Sequence, residues 1–378
     1  MAVRPDISSL LFLQDLTQFS SLMRIGQNPA KMRGSPAYTP QRVGLASLTY
    51  VPDLEGYFRQ ARDVIDIHLA SLRASLDQEC DLCVFDNGSC PEILNFLQDR
   101  WRNGVIDWLF LSHHNLGKNG ALNWIFSSMP NEYIGYSDSD VLFRKGWLEE
   151  SLRIFDSFER VGMVSAQPVF FDFLRGQSQT AQRIAAYGSD ASPKTGLRIE
   201  LVKPPPEVVD EYCDGINASI EIRQQFHQTQ LTVAVNPSRG ARAVTSATDM
   251  QFMLSRQVAR KLVPMPIAGA LTARDAIEIP LGVETLGYWI LSTEEPLVRH
   301  LGNAILDLDI PEVENYLSAN LQTGQIQAPG FRTHPGPGGW KKNTQAALQR
   351  LIDRSPRLRR TFTRVYDWLF SLLYEERR

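Results

Sequence analysis

Cysteine is scarce. Cys80, Cys83, Cys90 and Cys213 are the only four in 378 residues, too few for the disulfide framework of a small secreted scaffold, so a reducing compartment is expected. Cys80-x-x-Cys83 has metal or redox spacing, but no second such pair or Cys/His cluster completes a zinc site, and Cys83 sits in the apolar run "LCVF", where cysteine behaves as a small core residue. Long hydrophobic runs are missing too: no stretch reaches the roughly 20 apolar residues of a membrane span. The early segment "ISSLLFLQDLTQFSSLM" is interrupted by Asp15 and has neither a basic head nor a small-residue cleavage site. It is expected to be an amphipathic helix and not a signal peptide, which gives a cytoplasmic expectation. Charge of one sign is not in excess either, at 39 Lys and Arg against 42 Asp and Glu, net −3. That balance, with no basic stripe interleaved with aromatics, gives no reason to expect a nucleic-acid partner.

What is present is an ordinary globular composition, 43% hydrophobic and 21% charged, and from Arg42 a regular alternation of apolar runs with helical patterns. "VGLASLTYV" (43–51), "DLCVF" ending at Asp86, "IDWLFLS" (106–112), "EYIGYS" (132–137) and "VGMVSAQ" (161–167) read as strands. Helical spacing covers 54–76, a stretch opening at Pro91, 118–128 and 146–155. Strands alternating with helices predict right-handed βαβ units, hence an α/β fold with a Rossmann-like, mostly parallel central sheet covered by helices on both faces. From 170 to 248 the regularity lapses into "SDASPKTG", "KPPPEVVD" and "NPSRGARA", which predicts an irregular insertion. "MQFMLSRQVARKL" (250–262) reads as a strand running into a helix, and "ARDAIEIPLGVETLGYWILS" (273–292) as a helix and then a strand. The expected division is a helical extension at 1–41, a catalytic unit at 42–303 whose halves meet at 167/168, and a linker or lid with a C-terminal amphipathic helix at 304–378.

In open α/β sheets ligands bind at the carboxyl ends of the strands. Those ends carry Thr49-Tyr50-Val51-Pro52, Asp86-Asn87-Gly88-Ser89, Asn115-Leu116-Gly117-Lys118 and Ser137-Asp138-Ser139-Asp140, which together describe one polar crevice. Two carboxylates at i and i+2 on extended backbone point to one side, and a divalent cation between them and a phosphate relieves their repulsion. Asp138 and Asp140 therefore suggest a nucleotide diphosphate with Mg2+ or Mn2+.

"FDNGS", "NLGKNGALN" and "YIGYSDSDVLFRKGWLEE", in that order and at those intervals, resemble the nucleotide-sugar half of family 2 glycosyltransferases of the glycosyltransferase-A fold. The resemblance covers 42–167 well and continues more loosely through "MQFMLSRQVARKL", "RDAIEIPLGVETLGYWI" and "HLGN" to about 303. It implies a UDP- or GDP-sugar donor. Thr49, Tyr50 and Pro52 border the nucleotide, Asp86 bonds the base, and Asn115, Gly117 and Lys118 line the base and ribose. Asp138 then meets the ribose or sugar, with Asp140 and His300 at the metal. The family's base is an aspartate in an acidic pair before an amphipathic helix. Here the pair is Arg274-Asp275, which leaves Asp275 as candidate general base and Glu278, one turn on, as reserve.

The resemblance thus implies a metal-dependent inverting transfer to a hydroxyl acceptor, be it glycan, lipid or small molecule. The imperfect acidic pair leaves open a retaining transferase, or a nucleotide-sugar-binding protein with impaired catalysis. His334, Trp340, Lys341 and Lys342 lie in a Gly/Pro-rich stretch that could fold over the donor as a lid. The C-terminal pattern from Arg350 to Leu373 is a basic amphipathic helix with Trp368, suited either to peripheral contact with an anionic membrane or to packing on the enzyme or a second subunit.

Overall fold

A computed structural model of the chain describes residues 38–170, 179–190, 196–267 and 275–305, together with 311 and 313. The side chains of 188–190 and 275–277 lie outside that description. The chain divides into two units, 1–308 and 309–378, and every element below belongs to the first. The elements are β1 (Val43–Thr49), α1 (Ala61–Ala74), β2 (Asp81–Asp86), α2 (Pro91–Arg102), β3 (Trp108–Leu111), α3 (Gly117–Ser128), β4 (Tyr133–Asp138), β5 (Val141–Phe143), α4 (Trp147–Ser157) and β6 (Val161–Ser165). They continue with α5 (Thr180–Asp190), β7 (Arg198–Val202), α6 (Pro206–Gly215), α7 (Ile220–Gln228), β8 (Leu231–Asn236), β9 (Ala241–Val244), β10 (Gln251–Ser255), α8 (Arg256–Leu262), α9 (Asp275–Thr285), β11 (Trp289–Ser292) and β12 (Val298–His300).

Ten strands form one sheet in the order β3-β2-β1-β4-β10-β6-β11-β9-β8-β7. β3, β2, β1 and β4 are parallel, β10 runs antiparallel between β4 and β6, and β11 returns parallel to β6. The mostly parallel α/β sheet is therefore as the alternation predicts. Side-chain period two divides each inner strand between two cores. Leu45, Leu82 and Val84 pack with α1, α2 and α4 on one face, while Ala46, Cys83 and Phe85 pack with α3, α8 and α9 on the other. Cys80 belongs to the first of these cores and Cys83 to the second. Burial pushes each thiol up to about 12, so both are packing residues held as thiols.

Local chemistry explains the element boundaries that matter for the site. Pro91 opens α2 at the position where its missing N–H costs nothing. Ser219 and Ser255 cap α7 and α8, each hydroxyl accepting from a backbone N–H of the first turn. The first helix starts at Ala61 and not at 54, because a short 3-10 turn, Gly56–Phe58, precedes it.

The segment expected to be irregular is largely structured. Between 170 and 248 the described residues hold α5, α6 and α7, and β7, β8 and β9 extend the main sheet as an antiparallel ribbon. The prolines at 204–206 start a helix, with Pro206 in its first turn, and "NPSRGARA" is the hairpin between β8 and β9. Composition marked turns correctly there but hid the short elements between them. Two further strands lay below any periodicity threshold: β5 and β12, each three residues long, pair antiparallel beside the sheet. They carry His300 opposite Val141.

Candidate functional site

The carboxyl ends of β1, β2 and β4 lie side by side, since Thr49 is in register with Asp86 and Leu48 with Asp138. Backbone bonds seal the loops above them: Asn87 N–H donates to the Thr49 carbonyl at 2.8 Å and Cys90 N–H to the Val51 carbonyl at 2.8 Å. The Ser89 hydroxyl accepts from Val51 N–H at 3.0 Å. Thr49 and Asp86 are buried, and the Thr49 hydroxyl has no protein partner. Asp86 Oδ2 accepts from the N–H groups of Gly88 and Ser89, both at 3.1 Å, while Oδ1 is buried and unpartnered. Gly88 adopts φ +94, and a Cβ there would lie 3.1 Å from the His114 carbonyl carbon, so only glycine lets this turn pass the neighbouring loop without strain. Tyr50 and Pro52 are half-buried in the loop after β1.

Asn87 clamps the loop before α3. Its side-chain oxygen accepts from Leu116 N–H at 2.8 Å, and its amide donates to Asn115 Oδ1 at 3.0 Å and to the Gly117 carbonyl at 3.3 Å. Asn115 Oδ1 also accepts from Gly117 N–H at 2.8 Å. Asn87 is buried and committed to this turn. Lys118 then reaches back to β4, 3.2 Å from Asp138 Oδ2.

The two aspartates are not a pair on extended backbone. Asp138 ends β4 and Asp140 sits in the following turn. Each has its own counter-charge, which corrects the picture of a single cation relieving both. Asp138 Oδ1 accepts from the Tyr136 hydroxyl at 2.6 Å. Burial, reinforced by Asp140 and Asp249, pushes the Asp138 carboxyl above the usual range against the pull of Lys118. Asp140 Oδ2 is 3.1 Å from His300 Nε2. Burial opposes the Asp140 charge, but the His300 hydrogen bond and charge outweigh it and hold this carboxyl below its ordinary value. For His300, burial favours the neutral ring, yet the partnership with Asp140 raises it to about 9.

His300 Nδ1 lies 2.7 Å from the Gly215 carbonyl of α6. A carbonyl can only accept, so Nδ1 carries the proton and Nε2 is the nitrogen presented to Asp140. Asp140 Oδ1 is buried without a partner. A spare buried carboxylate oxygen beside an imidazole fixed through its other nitrogen is a donor set that fits Mn2+ through both groups and Mg2+ through the carboxylate alone. Among the described residues no three His, Cys, Asp or Glu side chains surround a common point, so such an ion would take its other ligands from water and substrate oxygens.

Asp275 is the first residue of α9, and its side chain lies outside the described residues. Glu278 is already engaged: its carboxylate accepts from the Asn119 amide of α3 at 2.6 Å. Three residues at the site were not anticipated. Tyr136 stands two before Asp138 on the same side of β4, a relation the strand period makes readable. Asp249, in the turn before β10, bonds Lys118. His68 of α1 is fully buried, with Nδ1 2.7 Å from the Val141 carbonyl, and so fixes the backbone next to Asp140. Local sequence carried no signal for either of these last two. The segments assigned in sequence to an N-terminal helix and to the C-terminal helix lie outside the described residues, as do His334, Trp340, Lys341 and Lys342 of the expected lid. Among the described residues no helix is long and apolar enough to cross a membrane.

Residues 57–204 match the family described as Glycosyl transferase family 2. No curated protein matches the chain. Among solved structures, the chain is similar to S. aureus TarS 1-349 in complex with UDP-GlcNAc at 18% identity, covering 34% of this chain and 35% of that one with a TM-score of 0.28. It is similar to the mannosyltransferase PcManGT from Pyrobaculum calidifontis in complex with GDP-Man and Mn2+ at 14% identity, covering 89% and 87% with a TM-score of 0.41. GalNAc-T7 with UDP, GalNAc and Mn2+ shares 11% identity over 74% of this chain and 48% of that one, at a TM-score of 0.39. The chain thus spans about a third of the TarS 1-349 chain it matches. The family 2 match over residues 57–204 thus lies on the mostly parallel α/β sheet, from the turn before α1 to the loop after β7.

Proposed function

We propose that the protein is a metal-dependent, inverting glycosyltransferase that moves a sugar from a UDP- or GDP-sugar to a hydroxyl acceptor. The observation that carries this reading is the Asp140–His300 pair at the carboxyl end of the sheet, with one Asp140 oxygen buried and unspent. Thr49 and Asp86 add two more unpartnered buried oxygens at adjacent strand ends. Buried polar atoms of this kind are costly unless something bonds them, and a nucleotide's base and ribose offer donors and acceptors of the right kind.

In this reading Asp86 receives the base, and Asn115 and Gly117 border the base and ribose. Asp138 contacts the ribose or sugar, and Asp140 with His300 holds Mn2+ or Mg2+. The bound ion supplies neutralisation of the leaving diphosphate. Asp275, at the start of α9, takes the proton from the acceptor hydroxyl as its oxygen bonds to the anomeric carbon and the bond from that carbon to the diphosphate breaks. Attack opposite the leaving group inverts the configuration, and the transition state has oxocarbenium character.

A thermal-shift screen of UDP, GDP and their sugars with and without Mn2+ tests the donor, since a ligand held by the folded state at 100 times its Kd adds about 2.7 kcal/mol. Asp140→Ala is expected to abolish the Mn2+-dependent part of the shift. An unchanged shift removes Asp140 from the metal. NMR of the product's anomeric configuration decides between inversion and retention. Arg274 in place of the family's first acid favours a second reading, a binding protein without turnover. Tight nucleotide-sugar binding with no transfer to any hydroxyl and no donor hydrolysis would select it.

A further inference from the structure

Lys118 spends all its donors inside the protein. Its ammonium gives one hydrogen bond to Asp138 Oδ2 at 3.2 Å, one to Asp249 Oδ2 at 3.1 Å and one to the Asp249 carbonyl at 3.0 Å. A lysine has three such donors and no acceptor, so none is left for a phosphate or a ribose. It also stands 5.2 Å from the centre of the Tyr136 ring, whose hydroxyl holds the other oxygen of Asp138. The chain of contacts runs from Asp249 through Lys118 to Asp138 and closes on Tyr136.

Asp249 has the backbone to do this. It immediately precedes Met250, whose carbonyl accepts from Asp138 N–H at 2.9 Å, and β10 continues the pairing with Gln251 opposite Ser137. Asp249 is therefore tied to the same strand end as Asp138 by main chain as well as by side chain. Both carboxylates are mostly buried, at 18% side-chain exposure for Asp249 and 33% for Asp138, and the lysine between them is 14% exposed. Charges so placed are weakly screened, and losing one leaves another buried without compensation.

We infer that Asp249 is a positioning residue of the donor site, acting through Lys118 to hold Asp138 in place. The inference rests on the proposed donor site but adds a residue that no motif marks. It also changes the part given to Lys118, from a contact lining base and ribose to a clamp behind Asp138. In the absence of the Asp249 carboxylate the ammonium has a single anionic partner and is free to draw Asp138 away from the orientation that Tyr136 and Lys118 jointly impose.

The test is a double-mutant cycle on the full-length chain, with wild type, Asp249→Asn, Lys118→Met and the double variant. Calorimetry with UDP and with GDP, each with Mn2+, reads affinity, and thermal midpoints without ligand read stability. The expected result is about tenfold weaker binding of the preferred nucleotide by folded Asp249→Asn, with no further loss when the change is made in the Lys118→Met background. Affinity equal to wild type in Asp249→Asn, even with a lowered midpoint, makes Asp249 merely structural and overturns the inference. Losses that simply add in the double variant overturn it as well, because they place Asp249 outside the Lys118 path. If wild type binds neither nucleotide with Mn2+, the donor reading fails on its own account. The clamp is then judged by the ligand-free midpoints: non-additive shifts support it and additive ones overturn it.

Discussion

His68 gives the protein an acid sensitivity that can be worked through. The ring is fully buried in α1. Its Nδ1 must carry a proton, because it faces the Val141 carbonyl at 2.7 Å, and its Nε2 is buried with no partner. Protonating Nε2 would bury a charge without a hydrogen-bond acceptor. Burial accordingly lowers the pKa from 6.5 to about 4, against smaller opposing contributions from the Val141 carbonyl and the Asp140 charge. The unfolded chain binds a proton at ordinary histidine pH and the folded chain does not, so the unfolded state holds more protons throughout the window from about pH 6.5 to 4. Stability due to His68 is therefore complete above that window and is lost as pH falls through it. At 1.36 kcal/mol per unit the full loss is about 3 kcal/mol, of which about 2 kcal/mol has gone by pH 5. Urea unfolding at pH 7 and pH 5, on wild type and His68→Asn, isolates the effect. The asparagine amide can still donate to Val141 but cannot titrate. The variant is expected to be less stable at both pH values, by about 1–3 kcal/mol for the space left, yet to lack about 2 kcal/mol of the wild-type loss between them. Equal pH dependence in the two proteins refutes the argument.

Other substitutions probe the site and its supports. Gly88→Ala forces a side chain into left-handed backbone 3.1 Å from the His114 carbonyl carbon and is expected to cost about 1–3 kcal/mol, read as a lower thermal midpoint, with weaker nucleotide binding. His300→Ala removes the imidazole next to Asp140. It is expected to raise the Mn2+ concentration needed for half-maximal nucleotide binding by at least about tenfold, which titration calorimetry reads. Asp275→Asn is expected to lower kcat about 10²–10⁴-fold while leaving UDP or GDP affinity unchanged; equal losses in both would remove the base assignment. Glu284→Ala strips the buried carboxylate that accepts from Gln179 N–H, Thr180 N–H and the Thr180 hydroxyl at the start of α5. A loss of about 2–4 kcal/mol is expected in denaturant unfolding.

The parts of the fold readable in sequence were those with a period. β1, β2, β4 and β6 are four of the inner strands whose apolar runs are buried on both faces, and α1, α2, α3 and α4 show helical spacing against them. The polar strand ends could be read from the same alternation, because the carboxyl end of each strand follows once the strand is placed. β5 and β12 could not, since three residues carry no period and their pairing joins positions 141–143 to 298–300. The antiparallel ribbon of β7, β8 and β9 was masked by turn-rich composition at its ends. Asp249 and His68 escaped for a different reason: each matters through a partner far along the chain, Lys118 131 residues away and Val141 73 residues away.

The two aspartates show what spacing alone leaves undetermined. At i and i+2 they are equivalent in sequence, and mutual repulsion is the only interaction the spacing supplies. In the folded chain both Asp138 oxygens have partners, the Tyr136 hydroxyl on Oδ1 and the Lys118 ammonium within reach of both, whereas Asp140 keeps one oxygen buried and unspent. A metal entering between them would have to strip a lysine and a tyrosine from Asp138 but only a proton from His300 to reach Asp140. That difference in the cost of displacement is why the proposed function gives the ion to Asp140. It also makes a distinguishing outcome available: Lys118→Met, which frees one side of Asp138, should tighten Mn2+ binding in the ligand-free protein if Asp138 is a suppressed ligand, and leave it unchanged if the Tyr136 bond and the strand-end geometry already exclude it. The Tyr136 bond to Oδ1, which Lys118→Met leaves in place, and the position of Asp138 at the end of β4 argue for the second result, and a Mn2+ titration followed by calorimetry is sufficient to see either.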